Sequence, residues 1–323
     1  MRALVVGGTR FVGRAIVEAL LNDGHTVTLA HRGTSGAELF PAAERLLLDR
    51  DGDLSALATR WFDVTIDACA YQPEQVTRLA EALGARGGIP VLISTVSVYA
   101  PPPAAGITED APLLDPADDD PDTAYGRGKV ACERAHQDAY GQGLVIRPTY
   151  VVGPHDYTWR FPQWVARLSA GGRVLAPGPV DDPTQYIDAR DQGEWVARLV
   201  REGVTGVFHA AAPPPPFSFA ELLEEVAAVV APRGTQLVWV DADVLQAHGL
   251  TDAQFPLWSA AAADRFVLAV DPSAALDAGL VPRPLSATIT DTLAWVATQP
   301  PRGPALDPAT EARVLAAAAG PAG

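Results

Sequence analysis

The chain opens on an apolar stretch, Arg2-Ala-Leu-Val-Val6, followed by a glycine-rich turn, Gly7-Gly-Thr-Arg-Phe-Val-Gly13. Apolar positions then recur at Phe11, Val12, Ala15, Ile16, Ala19 and Leu20 and stop at Asn22-Asp-Gly24. That spacing predicts a strand, a tight turn and an amphipathic helix over 11–22. The rhythm repeats. Strands are predicted at 26–30, 45–48, 63–68, 89–94 and 143–147, with helices at 53–59, 74–84 and 124–140 between them. Each strand is a nearly unbroken apolar run, as expected where both faces of a sheet are covered. Strands alternating with helices predict an α/β fold, a doubly wound parallel sheet over residues 1–150.

Two stretches depart from this rhythm. Residues 100–123 form a Pro- and Asp-rich loop containing Asp118-Asp-Asp-Pro-Asp122, too long to be a plain connection. Beyond residue 150 the elements shorten, with strands near 173–175, 184–188 and 206–209 and helices near 161–170, 190–202, 217–230 and 286–298. Residues 151–298 therefore predict a smaller, mixed α/β C-terminal lobe interleaved with the core. It would cover the carboxyl ends of the strands, where such sheets bind ligands. Pro213-Pro-Pro-Pro216 reads as a stiff connector, and 299–323 as a peripheral Ala/Pro-rich tail.

Composition narrows the partners. A net charge of −15 disfavours nucleic acid or an anionic membrane, leaving a small molecule as the expected partner. Two cysteines, Cys69 and Cys132, make no disulfide framework, and the six scattered histidines suggest no metal site. With no signal-peptide pattern and no apolar run of membrane-spanning length, the expected location is cytoplasmic.

Candidate chemistry starts from one residue. Lys129 is the only lysine in the chain, in a sequence that otherwise writes arginine, and it follows Tyr125 by four positions. On a helix that spacing puts ammonium and phenol on one face, where a cation would lower the phenol pKa. The Gly turn, placed between a strand and a helix N-terminus, suits a pyrophosphate. Its middle position is Arg10 rather than glycine, so a side chain stands where backbone usually meets the cofactor. Arg10, and Arg32 just beyond the second strand, put cations near the adenosine end with no carboxylate in Ala30-His31-Arg32. NADP(H) is therefore preferred, with NAD(H) the second choice, although Arg32 also suits a solvent-facing turn.

Together these residues resemble the extended short-chain dehydrogenase/reductases, the NAD-dependent epimerase/dehydratase family, over roughly 1–298. The resemblance rests on Gly7–Gly13, Ser94-Thr-Val-Ser-Val-Tyr99, Tyr125-Gly-Arg-Gly-Lys129 and Arg147-Pro-Thr-Tyr-Val-Val-Gly-Pro154. Arginine in the Gly turn is similar to a subgroup containing chloroplast stem-loop RNA-binding proteins and bacterial reductases. The resemblance implies a Rossmann fold with Gly7, Thr9, Arg10, Phe11, Val12 and Gly13 around the dinucleotide. Asp49 would meet the adenine, Ala68-Cys-Ala70 would pass the cofactor by backbone contact, and Lys129 would hold the nicotinamide ribose. Tyr125 would be the general acid/base and Thr95 would bond the reacting oxygen, with Ser94 and Ser97 competing for that role. A homodimer through helices 74–84 and 124–140 is implied by analogy.

Departures from the family pattern narrow the reaction. Val96-Ser97 replaces the Asp-Glu that sugar-nucleotide dehydratases carry after the catalytic threonine. The only asparagine is Asn22, so the asparagine that sugar-nucleotide enzymes usually carry after the Arg147 strand is missing. Tyr99, His155, Tyr157, Trp159 and Arg160 flank the places where a substrate would sit, and Arg190 could hold an anionic group. His155 suits a structural role after a Gly-Pro turn better than a substrate contact, and Arg190 equally suits a surface ion pair. The expected activity is an NADP(H)-dependent oxidoreductase interconverting carbonyl and alcohol on a small metabolite. The alternatives are a sugar or sugar-nucleotide epimerase with tightly held cofactor, or a dinucleotide-binding protein without catalysis.

Overall fold

Seven parallel strands form one sheet in this computed structural model, which describes residues 1–36, 38–102, 104–212, 218–261, 265–303 and 305–318. The predicted connector Pro213–Pro216 lies outside the described residues. The chain runs β1 (Arg2–Val6), α1 (Phe11–Asn22), β2 (Thr26–His31), β3 (Glu44–Leu47), β4 (Val64–Asp67), α2 (Pro73–Leu83) and β5 (Ile89–Ile93). It continues through α3 (Ala124–Tyr140), β6 (Leu144–Pro148), β7 (Tyr150–Val152), α4 (Arg160–Ser169), β8 (Arg173–Pro177), β9 (Tyr186–Asp188), α5 (Ala189–Glu202) and β10 (Gly206–Ala210). Last come α6 (Phe219–Val230), β11 (Gln236–Val240), α7 (Ala242–Ala247), α8 (Ser273–Asp277), α9 (Leu285–Val296) and α10 (Pro308–Ala318).

The strand order is β10-β6-β5-β4-β1-β2-β3. The chain steps outward from β1 to β3, then crosses back to β4, so a crevice opens between β1 and β4 at the carboxyl ends of the strands. One face of the sheet is covered by α1 and α5, around Ile16, Leu20, Ile66, Trp195 and Leu199. The two helices meet almost backbone to backbone: a Cβ on Gly193 of α5 would fall 2.6 Å from the Ala15 carbonyl of α1. The other face is covered by α2 and α3. A second core, with Phe161, Trp164, Phe219, Phe255 and Ile289, fills the C-terminal lobe.

Most expected elements occur within a residue or two, and four differences are informative. The helix expected at 53–59 is a single 3-10 turn at Ser55–Leu57, because the chain must return at once to β4. The strand expected near 206–209 is β10, the seventh strand of the main sheet rather than part of the small lobe. β7, β11, α7 and α8 are additional. The peripheral tail is partly a helix: α10 seats Val314, 0% exposed, and Leu315 in the second core, and Glu311 makes a two-pronged ion pair with Arg167 at 3.0–3.2 Å. Its alanine-rich sequence hides that two-residue apolar contact from any periodicity.

Candidate active site

A cavity of about 580 Å³ follows the crevice from the β1 turn to α3, within the ~300–1,000 Å³ usual for cofactor and small-molecule sites. Thr9, Arg10, Phe11, Val12, Gly7 and Gly13 line its floor. Two glycines are needed here for different reasons. Gly7 has φ +85°, and a Cβ on Gly13 would lie 2.2 Å from the Gly7 carbonyl oxygen. Phe11, at φ +33°, carries local strain at the start of α1. The Arg10 side chain leaves the cradle clear and does not sit at the adenosine end expected of it: its guanidinium carbon lies 5.1 Å over the Tyr157 ring. A dinucleotide therefore fits the turn despite the missing third glycine.

Toward the β2 and β3 ends, Arg32 is exposed and Asp49 lines the same wall. The Thr9 and Ser35 hydroxyls are 3.1 Å apart, and the Gly33 amide donates to His31 Nδ1 at 3.1 Å. Burial, then the neighbouring Arg45, push the His31 pKa down, so the ring stays a neutral acceptor for that turn. Sequence reasoning missed Arg50, whose guanidinium forks onto the buried Asp67 at 2.6 and 2.7 Å and touches Cys69 Sγ at 3.3 Å. Burial pushes the Cys69 thiol up, consistent with packing rather than nucleophilic use. Ala70 is fully buried and does not line the cavity, where Ala68 and Cys69 do.

Thr95, Tyr125 and Lys129 share the far wall. Thr95 lies two residues beyond β5 and caps the next turn; it accepts the Ser97 amide at 3.1 Å and donates to the Ser97 hydroxyl at 3.1 Å. Gly126 explains how α3 comes so close: a Cβ there would stand 2.0 Å from the Ser97 carbonyl oxygen. Ser94, one of the alternatives to Thr95, is engaged elsewhere, donating to Glu133 Oε1 at 2.5 Å. Lys129 is only 4% exposed, and its Nζ donates to the carbonyls of Ile93 at 2.6 Å and Ala70 at 3.0 Å. Burial pushes its pKa down.

The expected lowering of the Tyr125 pKa is not seen. Tyr125 keeps 53% of its surface open to the cavity, yet protein crowds it enough that burial pushes the phenol up. The Thr95 hydroxyl and Arg160 pull the other way.

The expected substrate residues separate into two groups. Tyr157 lines the cavity together with Thr158 and Arg160. Tyr99, His155 and Arg190 do not. Tyr99 is 2% exposed, with its hydroxyl 2.5 Å from His209 Nε2 and accepting from Arg147 at 2.7 Å; burial pushes it up to about 12. His155 stands edge-on to Trp295, and burial, with Arg14 and Arg190, pushes it down to about 4. Arg190 is forked between Asp188 at 2.7 Å and Asp291 at 2.5 Å. Trp258 belongs to the second core beside Phe255. Tyr71, Tyr150 and Leu268 also line the cavity. Leu268 arrives from more than a hundred residues beyond the motifs, and nothing in its local sequence marks it.

The profile of the NAD-dependent epimerase/dehydratase family matches residues 3–211. Chloroplast stem-loop binding protein of 41 kDa b from Arabidopsis thaliana is 27% identical over 199 residues, 54% of this chain and 49% of that protein. The chain thus spans about half the length of this relative. The 2'-dehydrokanamycin reductase of Streptomyces kanamyceticus is 28% identical over 239 residues, 70% of this chain and 66% of the reductase. Among solved structures, Bordetella bronchiseptica WbmG in complex with NAD and UDP superposes with a TM-score of 0.70 at 21% identity, covering 92% of this chain and 95% of WbmG. A parallel sheet with its crevice at the β1 turn, and a family profile across most of it, place this chain in the NAD-dependent epimerase/dehydratase family, as an enzyme of the NAD(P)-dependent oxidoreductase or epimerase type.

Proposed function

We propose that this protein is an NADP(H)-dependent oxidoreductase that interconverts a carbonyl and an alcohol on a small metabolite. The observation that carries this reading is the convergence of Thr95, Tyr125 and Lys129 on one wall of the cavity that begins at the Gly turn. A bound nicotinamide supplies or accepts hydride. Tyr125 gives a proton to the reacting oxygen, or takes it back in reverse, while Thr95 orients that oxygen by a hydrogen bond. Lys129 holds the ribose with the ammonium proton left over from Ile93 and Ala70. Gly7, Thr9, Arg10, Phe11, Val12 and Gly13 cradle the phosphates. Arg32 favours the extra phosphate of NADP(H), and Asp49 meets the adenine.

Tight-cofactor epimerisation is the second reading, supported by the family itself. The acidic charge supports a small-molecule partner over nucleic acid or membrane, and no helix among the described residues is long and apolar enough to cross a membrane. We extend the proposal to a cytoplasmic enzyme that pairs through α2 and α3. Fluorescence titration with NADPH and NADH tests the cofactor: NADPH should bind about ten-fold tighter or better, and equal or tighter NADH binding would refute the preference. Incubation with NADPH and a panel of aldehydes and ketones separates the reactions. A reductase consumes reduced nicotinamide in step with product, whereas an epimerase turns over with no net consumption.

A further inference from the structure

The charge lining the cavity runs against that of the whole molecule. A chain of net charge −15 lines this cavity with Arg10, Arg32, Arg50, Arg160 and Lys129, against only two carboxylates, Asp49 and Asp51. Both carboxylates lie just beyond the end of β3. Arg50 is already paired with Asp67, the Arg10 guanidinium stacks over the Tyr157 ring, Arg32 lies at the β2 end of the cradle, and Lys129 sits on two carbonyls. Arg160 has no such assignment. It lies at the Tyr125 end, near enough that its charge acts on the phenol.

Arg160 is also held in place. Its Nε donates to Thr158 Oγ1 at 3.1 Å, and the Thr158 hydroxyl in turn donates to Asp156 Oδ1. Asp156 is fully buried and also accepts the Thr158 amide at 3.0 Å and the Phe161 amide at 3.4 Å. The guanidinium carbon lies 5.4 Å over the Tyr150 ring, which supports it from one face. Its nearest carboxylate contact is through the Thr158 hydroxyl to Asp156, whose charge it feels, and no carboxylate is in direct ion-pair contact with it among the described residues. A guanidinium fixed through Nε and one face keeps its terminal N–H groups for a planar or tetrahedral anion.

We propose that the substrate carries an anionic group, a carboxylate or a phosphate, that docks on Arg160 beside Tyr125. This rests on the cavity being the dinucleotide and substrate site argued above. Thr158 and Tyr150 position the guanidinium, and the aromatic ring of Tyr157 walls the same end.

Calorimetric titration of the NADP⁺-saturated protein with benzoate against benzamide, and phenyl phosphate against phenol, tests it without requiring turnover. At least one anion should bind about ten-fold tighter than its neutral partner, and the pair showing the gap tells carboxylate from phosphate. Arg160→Gln should erase the gap, and Arg160→Lys should shrink it because one ammonium replaces the fork. Equal affinities, including no measurable binding of any of the four, would overturn the proposal. So would an unchanged gap in either folded variant. Failure of the dinucleotide reading shows separately, as absent NADP⁺ binding; the same titrations and variants then decide the anion site on the unliganded protein.

Discussion

Lys129 shows why its charge alone does not describe it. The ammonium fits between the Ile93 and Ala70 carbonyls with almost no exposure, a slot for a compact group on a flexible stem. Lys129→Arg should overfill it, costing about 1–3 kcal/mol. A thermal melt together with dinucleotide titration checks this, and an unshifted melt with wild-type affinity would refute the slot. Behind the same helix, Glu133 is buried against Arg147 at 2.7 and 3.0 Å and receives Ser94. Glu133→Ala would strand the Arg147 cation and should cost about 3–5 kcal/mol in denaturant unfolding. At this scale the sequence was legible where rarity or motif spoke: Lys129 with Tyr125, and the Gly turn. It was not legible for Tyr99, while for His155 and Arg190 the structure takes the packing and ion-pair alternatives that the sequence also offered. Each sits beside a motif in sequence, but side-chain direction is set by packing partners such as His209, Trp295 and Asp291, which lie up to 140 residues away.

Among elements, α3 was the most readable, from Ala124 to Tyr140, because a Pro-Asp-Thr turn precedes it and Gly141 ends it at φ +68°. What periodicity could not reveal is why α3 carries Gly126: the helix backbone rests against the turn that holds Thr95 and Ser97. Gly126→Ala should push the helix away and misplace Tyr125 from Thr95. Turnover should then fall about a hundred-fold with NADPH affinity within a few-fold. Steady-state kinetics beside a dinucleotide titration checks it, and wild-type turnover would contradict the close packing. The elements missed, β7, β11, α7, α8 and α10, are short or alanine-rich. They owe their existence to the second core, where a few residues such as Val314 and Leu245 are buried by distant partners rather than by their own repeating pattern.

For the molecule as a whole, burial of histidines sets an acid limit on stability. His25, His31, His136, His155 and His209, five of the six, have pKa values pushed down chiefly by burial. A depressed histidine favours the neutral folded form, so the contribution is full above about pH 6.5 and is lost as pH falls toward the folded values, about 4 for His155. Asp156, Asp182 and Asp191 are pushed up by burial and offset part of this loss near the lower end. The melting temperature should therefore be lower at about pH 5 than at about pH 7.5; a flat or rising profile would contradict it. The sequence made the sheet and the crevice legible through alternating strands and helices. It did not show that β10 closes the sheet or that the lobe delivers Leu268 to the cavity, because both depend on the chain crossing back after residue 150. The central claim is that this wall does proton chemistry on a dinucleotide-bound substrate, and Tyr125→Phe tests it most directly. NADPH affinity and turnover measured on the same preparation should show affinity within a few-fold of wild type and turnover down by about a hundred-fold or more. Unchanged turnover would contradict the account.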